Sequence, residues 1–198
     1  MSQLIESIKI LDGRVYNLHF HEIRANMSRM SLFGIQDPLN IKKVLSKLQI
    51  PKKGLLKCRI IYDQEISEVE IKPYSIRKIE KIKIIYDDHV SYQYKLLDRK
   101  ELDLLYAQRE VNDEILIVKN GLLADAYYYN IVCKLGSTYY TPSIPLLQGI
   151  QREYLLSKTT IIEEEISAED ILKFDMIYLI NALTPLLTIG ISPKSIIV

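Results

Sequence analysis

Three short stretches of the sequence carry side chains whose types and spacing are suited to chemistry. Lys95 lies in SYQYKLLDR, among tyrosines at the end of a predicted strand rather than on an alternating charged face. Asp125 and Asn130 flank the tyrosines of ADAYYYN, although strands accept aspartate and asparagine less readily than most residues. A helix is predicted to begin near Gly149 in LLQGIQRE. Together these features offer a nucleophile or base, a carboxylate and a helix N-terminus that can bind an anion.

Each feature also has an ordinary structural explanation. Most lysines in such a setting extend their charge to solvent. Asp125 and Asn130 both suit turns, where these residue types are common. The residue types alone therefore leave the structural and the chemical interpretations open.

Other motifs of catalysis and binding are missing from the sequence. His19, His21 and His89 are spaced neither as a metal pair on a helix nor as part of a triad with a nucleophile. The sequence has no Walker-type glycine loop and no Gly-x-Gly-x-x-Gly. It therefore gives no support to a metal site, to Ser/His catalysis or to nucleotide binding by these loops.

The composition is that of an ordinary globular protein of 198 residues, 48% of them hydrophobic. Lys and Arg (26) nearly cancel Asp and Glu (25), so neither nucleic acid nor an anionic membrane is predicted as a partner. Any bound anion must therefore be held by a few residues in direct contact with it. Cys58 and Cys133 lack metal-ligand spacing, and MSQLIESIKILDGR has no apolar signal-peptide core, so we expect a reducing cytoplasm. No apolar run approaches the length that crosses a bilayer.

The first half of the chain is predicted to mix strands and helices. Asp12-Gly13 favours a tight hairpin between LIESIKI and RVYNL. A helix over about residues 20 to 33 is predicted to end at Gly34, with four apolar residues on one face: Phe20, Ile23, Met27 and Met30. A short helix after Asp37-Pro38 and a pair of strands, LLKCRIIY and ISEVEIKPY, complete this half.

The second half is predicted to contain a larger set of strands. RKELDLLYAQRE, LLQGIQREYLLSK and a short segment after Ser167 are predicted helices, and the strands between them turn at Asn120-Gly121 and Gly136-Ser137. The last apolar run is split by Thr184-Pro185. We predict an α+β protein with two lobes, residues 1–85 and residues 86–198.

The order of these motifs resembles the class IV aminotransferase family, the fold-type-IV enzymes that use pyridoxal 5'-phosphate (PLP). The resemblance implies a two-lobed fold like that of D-amino acid aminotransferase, with a small N-terminal lobe and a larger C-terminal PLP-binding lobe. Five stretches match in family order: ESIKILDGRVYNLHFHEIRANMSR, YKLLDR, EILIVKNGLLADAYYYNIV, YYTPSIPLLQGIQRE and IYLINALTPLLTI.

The resemblance implies roles for three charged residues. Arg24, which ends the signature His-x-x-Arg, would grip the cofactor phosphate. Lys95 would be the catalytic lysine that attaches the cofactor covalently. Asp125, five positions before Asn130, would partner the protonated pyridine nitrogen, in a place where most relatives carry glutamate.

The rest of the implied phosphate cup consists of backbone groups and a turn. The amides of Ile150 and Gln151 would meet the phosphate at a helix start, with Gln151 in place of the usual threonine. Asn181 and Ala182 would complete the cup. A dianion bound by an arginine and by helix amides needs no globally positive protein, which agrees with the net charge of +1.

The resemblance leaves the reaction open among three possibilities. The Asn-Ala-Leu motif at Asn181 favours a lyase that resembles aminodeoxychorismate lyase, and an amino acid aminotransferase of the branched-chain or D-amino acid type is the alternative. A noncatalytic PLP-binding protein is the third. Relatives usually begin with a further strand that lines the substrate side, so we expect this front of the site to be missing or rebuilt. The family also implies a small-molecule amino substrate and a homodimer.

Overall fold

The computed structural model describes residues 2–197 and divides the chain into two compact units. The first unit contains the chain up to Ile76 together with the segment Tyr94–Asp98. The second unit contains Arg77–Gln93 and the chain from Arg99 onward. Both units combine strands with helices, so the predicted α+β organisation is confirmed.

This division differs in two places from the predicted lobes, 1–85 and 86–198. Strand Ile82–Tyr86 belongs to the second unit because it pairs in parallel with strand Glu114–Lys119. Lys95 belongs to the first unit because its segment bonds to the strand that begins at Leu4. Strand pairings between segments distant in sequence decide both cases, and a local pattern does not report them.

The first unit is an antiparallel sheet with strand order β2-β1-β3-β4 and two helices. The residues of β1 alternate between buried and half-buried, as expected for a sheet with one covered face. The predicted hairpin is confirmed, because Asp12 (φ 49°) and Gly13 (φ 78°) both adopt the left-handed conformation that the tight turn requires. The elements are β1 (Leu4–Leu11), β2 (Arg14–Val15), α1 (Leu18–Phe33), α2 (Ile41–Leu45), β3 (Leu55–Tyr62) and β4 (Ile66–Pro73).

Helix α1 ends at Gly34 as predicted, but it turns its apolar residues outward. Ile23, Met27 and Met30 are 43%, 65% and 60% exposed. The buried residues of α1 are His21, Ala25, Ser28 and Arg29. Polar groups can occupy this inner face because they are hydrogen-bonded there, as when the guanidinium of Arg29 donates to the carbonyl oxygens of Gln64 and Asp37.

The second unit is built on a larger mixed sheet with strand order β10-β9-β8-β7-β6-β5-β13. Strand β11 lies off this path and pairs with both β8 and β12. Its core is apolar and lies along β6, β8 and β11. The strands are β5 (Ile82–Tyr86), β6 (Glu114–Lys119), β7 (Leu122–Ala126), β8 (Asn130–Leu135), β9 (Thr138–Pro142), β10 (Ile162–Glu164), β11 (Met176–Asn181), β12 (Thr184–Ile191) and β13 (Ile196–Ile197). The helices are α3 (Lys100–Ala107), α4 (Ile150–Ser157) and two 3-10 helices, Ala168–Lys173 and Pro193–Ser195.

A tight turn interrupts the tyrosine run between β7 and β8. The backbones of Ala126 and Tyr129 bond to each other across this turn, and Asp125 and Asn130 face each other as a pair at the two strand ends. Within residues 2–197, no helix is long and apolar enough to span a membrane.

Candidate active site

Asp125 is a buried acid of the second unit, with 5% of its surface exposed. Its Oδ1 accepts a hydrogen bond from Asn130 Nδ2 at 2.7 Å, and its Oδ2 accepts one from the Leu147 amide at 3.0 Å. Burial raises the pKa of Asp125 to about 7, although these hydrogen bonds and the charge of Arg152 oppose the shift. Neutral donors therefore position this carboxylate, and a cationic group bound against it would favour its charged form.

The N-terminus of α4 lies beside this acid because Gly149 has no side chain. A Cβ at Gly149 would lie 1.7 Å from Asn130 Oδ1, so no other residue permits this approach. Among the described residues, no side chain caps the helix. Ile150 and Gln151 are buried, and their amides are among the first of the helix, which have no intrahelical acceptor. The structure thus brings together Asp125 and the two predicted phosphate-binding amides.

Arg152 fixes this helix to the sheet. Its side chain is 1% exposed and donates to Gln148 Oε1 at 2.9 Å, to the Pro142 carbonyl at 3.0 Å and to Glu163. Arg152 lies in the matched stretch YYTPSIPLLQGIQRE, but the resemblance implied no role for it. In the structure it holds α4 against β9 and β10, which keeps the helix N-terminus in place.

The turn between β11 and β12 carries Asn181 and Ala182. Asn181 Oδ1 accepts from the amides of Leu183 and Thr184, both at 2.9 Å, and Asn181 Nδ2 donates to the Tyr128 carbonyl at 3.2 Å. Because the Asn181 side chain is used within the fold, the backbone is what this turn offers to a phosphate. The hydroxyl of Thr184 is buried and has no hydrogen-bond partner in the described chain.

The tyrosine turn is held by a stacked cluster that the sequence did not reveal. Arg99 donates to the Tyr127 carbonyl, and its guanidinium carbon lies 4.2 Å from the centre of the Tyr127 ring and 4.7 Å from that of Tyr128. Tyr106 stacks on Tyr127 with ring centres 4.1 Å apart. Tyr127 and Tyr129 are buried, whereas Tyr128 is 48% exposed.

In the first unit, Arg24 is bonded to a buried acid, Glu6. Arg24 Nε donates to Glu6 Oε1 at 2.9 Å, and Arg24 Nη2 donates to Glu6 Oε2 at 2.5 Å. Glu6 Oε2 lies 2.6 Å from Nδ1 of His21. Glu6 was missed by the motif search, although LIESIKI contains a signal, since Glu6 shares its strand face with Leu4, Ile8 and Ile10.

Burial and the neighbouring side chains have opposing effects on the pKa of Glu6. Burial alone would raise the pKa of Glu6, but Arg24 and His21 together lower it to about 2. Burial lowers the pKa of His21, and the charges of Arg24 and Lys95 act in the same direction. A neutral His21 that donates from Nδ1 leaves a lone pair at Nε2, which is buried and has no partner in the described chain.

We expect Glu6→Gln to flatten the acid dependence of stability. The folded-state pKa of about 2 lies below the ordinary value of 4.5, so the stabilisation is present above pH 4.5 and is lost as the pH falls toward 2. At pH 7 the substitution should lower the free energy of unfolding by about 3–5 kcal/mol, because it leaves the guanidinium without its buried partner. Urea unfolding at pH 7, 4.5 and 3 measures both effects.

The matched control is Glu80→Gln, which changes an exposed acid paired with Lys78. It should leave both the stability and its pH profile close to wild type. Parallel profiles of wild type and Glu6→Gln between pH 4.5 and 3 would show that Glu6 is not the group responsible.

Lys95 lies along the free edge of β1. The Lys95 carbonyl accepts from the Ile5 amide at 3.0 Å, and the Leu97 amide donates to the Gln3 carbonyl at 2.8 Å. Leu96 pairs with Leu4 between these two bonds. This pairing places Lys95 opposite Ile5, the residue before Glu6, so Lys95 and the partner of Arg24 lie at the same end of β1.

The α+β fold, together with the candidate residues found in each unit, is the one expected of a fold-type-IV enzyme. Comparison with known proteins agrees. The family model "Amino-transferase class IV" matches residues 3–190. The protein belongs to the class IV aminotransferase family and is a PLP-dependent enzyme.

Three relatives illustrate this similarity. An uncharacterized protein of Haemophilus influenzae is 34% identical over 189 residues, which are 94% of this chain and 100% of that protein. A crystal structure from Haemophilus somnus 129PT, provisionally named a 4-amino-4-deoxychorismate lyase, is 32% identical, covers 94% of this chain and 98% of its own, and has a TM-score of 0.88. A crystal structure from Mesorhizobium loti, provisionally named an amino-acid aminotransferase, is 19% identical and covers 97% of this chain and 99% of its own. Its TM-score of 0.82 shows the shared fold.

The residues present fit PLP. Asp125 is a buried carboxylate without an ion-pair partner in the described chain, which suits a protonated pyridine nitrogen. The uncapped α4 N-terminus and the unpartnered Thr184 hydroxyl are donors that suit a phosphate. Lys95 is the lysine that the resemblance implies as the point of covalent attachment.

Proposed function

We propose that this protein is a lyase that converts 4-amino-4-deoxychorismate to 4-aminobenzoate and pyruvate. The similarity to the Haemophilus somnus protein, which extends over nearly the whole of both chains, carries this choice. The Asn-Ala-Leu-Thr-Pro turn that starts at Asn181 supports it. The product would serve folate synthesis, and we place the enzyme in the cytoplasm.

In this proposal the cofactor is held by the residues that the family resemblance implies. Arg24 and the amides of Ile150 and Gln151 bind the phosphate, and the turn at Asn181 and Ala182 completes the cup. Asp125 would accept a hydrogen bond from the pyridine nitrogen and keep it protonated. When bound, PLP withdraws electrons from the carbon that bears the substrate amine.

Lys95 carries the proton in the reaction. Its Nζ would hold the cofactor covalently and would serve as a free amine during turnover. That amine takes the proton from the amine-bearing carbon of the substrate. Loss of this proton makes the ring aromatic as the ether bond to the enolpyruvyl group breaks, and the enolpyruvate leaves and takes up a proton to become pyruvate.

An amino acid aminotransferase is the second candidate. The same three residues, Lys95, Arg24 and Asp125, would serve it, and the Mesorhizobium loti structure shares the fold. A transaminase must leave the amine on the cofactor and cannot regenerate PLP without an acceptor. This difference separates the two reactions experimentally. A noncatalytic PLP carrier is the third candidate, but such a protein needs neither a lysine base nor an acid at the ring nitrogen.

Arg24→Lys should weaken PLP binding and leave the binding of pyridoxal, which has no phosphate, nearly unchanged. Lysine keeps the positive charge opposite Glu6 but lacks the planar guanidinium with its several N–H donors. The binding free energy of PLP should therefore fall by about 1.5–3 kcal/mol, the contribution of a charge-assisted hydrogen bond. Equilibrium dialysis of both vitamers measures the difference, and Arg14→Lys, on the exposed β2, is the control. Equal losses for both vitamers would remove Arg24 from the phosphate site.

We also propose a twofold homodimer, on the family precedent alone. In fold-type-IV relatives a part of the partner covers each active site, so the contact would be self-complementary. Sedimentation velocity at the working concentration of the assay should show a dimer. A monomer that is fully active at that concentration would contradict the proposal.

A further inference from the structure

Glu114 is another buried acid of the second unit, and it lies outside the candidate site. It is the first residue of β6 and is fully buried. Its Oε1 accepts from the Ile115 amide at 3.0 Å. Its Oε2 has no hydrogen-bond partner in the described chain, and Arg77 Nη1 lies 3.7 Å from it. A buried carboxylate with such incomplete pairing costs folding free energy, so its presence points to a role other than stabilising the fold.

The charge of Glu114 depends on burial and on groups from several parts of the chain. Burial raises the pKa of Glu114 to about 7. Four neighbouring donors and cations oppose this rise: the Ile115 amide, Arg77, the Tyr127 amide and Arg99. The Tyr127 amide therefore connects the carboxylate to the tyrosine turn between β7 and β8.

The strand register also places Glu114 at this turn. Strands β6 and β7 are antiparallel, and Leu116 pairs with Ala126. A residue two positions before Leu116 therefore lies level with the residues that follow Ala126, which form the turn. Glu114 is that residue, so the backbone pairing and the Tyr127 amide agree on its place.

Tyr127 is held by charged groups at each of its polar atoms. The amide is directed at the carboxylate of Glu114. The carbonyl accepts from Arg99, and the hydroxyl donates to Asp103. Arg77 reaches the same cluster, since its Nη2 donates to the hydroxyl of the stacked Tyr106 at 3.1 Å.

The tyrosine turn in turn fixes Asp125. Asp125 and Asn130 pair across its base, and the Ala126 amide donates to the Tyr129 carbonyl at 2.8 Å just beyond them. The direction of the Asp125 carboxylate depends on its hydrogen bonds from Asn130 and from the Leu147 amide. Because the turn is so short, a displacement of its backbone would move both members of the pair.

We propose that Glu114 is a positioning residue, whose carboxylate holds the tyrosine turn in the place that directs Asp125 toward the cofactor ring. The inference rests on the role proposed for Asp125. A residue that only supports the fold would stabilise it, whereas a buried and incompletely paired carboxylate destabilises it. The two roles therefore predict opposite effects on stability when Glu114 becomes glutamine.

Glu114→Gln should leave the protein without PLP at least as stable as wild type at pH 8. The folded-state pKa of about 7 lies above the ordinary value of 4.5, so the wild type loses stability as the pH rises from 4.5 to 7. The variant lacks this loss, so its advantage should grow over that range and stay constant above it. Urea unfolding measures this difference.

The matched control for stability is Glu110→Gln, which changes an exposed acid paired with Lys83 and should follow the wild type at each pH. If Glu114→Gln were clearly less stable than wild type at pH 8, Glu114 would be a structural residue and the inference would be wrong.

Carbon-13 NMR of the aspartate carboxyl groups tests the link to Asp125, again without PLP. Asp125→Asn identifies the resonance by its loss. In Glu114→Gln the midpoint of the Asp125 titration should move upward, because a displaced turn weakens the hydrogen bonds from Asn130 and Leu147 that lower its pKa. Removal of a nearby negative charge alone would move it downward. An unchanged or lowered midpoint would therefore contradict positioning.

Turnover of 4-amino-4-deoxychorismate at saturating PLP tests the consequence for the reaction. Glu114→Gln should be about 10–10²-fold slower than wild type, the cost of a small misplacement of a reacting group. Adding Glu114→Gln to Asp125→Ala should cause no further loss, because one residue acts through the other. A full additional loss in the double variant would refute this link. A wild type inactive on this substrate would contradict the proposed function, and the NMR midpoint would still decide the role of Glu114.

Discussion

Lys95→Ala is expected to abolish turnover, with a loss of about 10⁴-fold or more. The substitution removes both the group that attaches the cofactor and the base that takes the substrate proton. Borohydride treatment of the wild type with PLP should leave a pyridoxyl group on the peptide that contains Lys95, and mass spectrometry should find no such label on the variant. The near-visible absorbance of the lysine-bound cofactor should vanish with it.

Lys100→Ala is the matched control, because Lys100 is the next lysine along the chain and is exposed. It should retain both the label and the activity. A label on any other lysine of the wild type would move the catalytic role away from Lys95 and would break the match to the family motif.

Asp125→Ala should slow turnover far more than it weakens PLP binding. The carboxylate matters most when negative charge builds on the pyridine ring, and losing one such electrostatic partner costs about 10²–10³-fold in rate. The affinity for PLP should change less, because Asp125 accepts hydrogen bonds from Asn130 and from the Leu147 amide. The amides that are proposed to bind the phosphate are those of Ile150 and Gln151. Turnover at saturating PLP, together with the dissociation constant of PLP, separates the two effects.

Asp170→Ala is the control for Asp125, because Asp170 is a half-buried partner of Lys173 on a 3-10 helix, away from the candidate site in sequence. It should affect neither quantity. If Asp125→Ala lost PLP affinity and turnover in the same proportion, Asp125 would be a binding residue without a special part in the reaction.

Local signals in the sequence predicted most elements of the fold. Asp12-Gly13 predicted its hairpin because few residues adopt the two positive φ angles that the turn needs. Gly34 marked the end of α1 for the same reason, and it closes the helix by donating to the Met30 carbonyl. Such features depend on neighbours in sequence, so they can be predicted without tertiary information.

The orientation of α1 shows where local signals fail. Its apolar residues recur at helical spacing, yet Met27 and Met30 are exposed, and Arg29 is buried. The inner face is polar because partners distant in sequence, such as Gln64 for Arg29 and Glu6 for His21, satisfy its hydrogen bonds. Hydrophobic periodicity does not contain this information.

The candidate site shows the same limit. Asp125 was found through its spacing to Asn130, and the structure explains that spacing, because the two residues are paired across a tight turn. The division of Lys95 from Asp125 into different units was not found, since it depends on the bond between Ile5 and Lys95. Glu6 and Thr184 were missed because burial and hydrogen bonding, rather than a motif, distinguish them.

Incubating the PLP-loaded protein with an amino acid donor in one tube and with 4-amino-4-deoxychorismate in another tests the central claim most directly. Cofactor absorbance and products are followed in both. The account predicts no lasting change of the cofactor in the first tube, and steady release of 4-aminobenzoate with an equal amount of pyruvate in the second. Stoichiometric conversion of PLP to pyridoxamine phosphate in the first tube, with no pyruvate in the second, would contradict it and establish a transaminase.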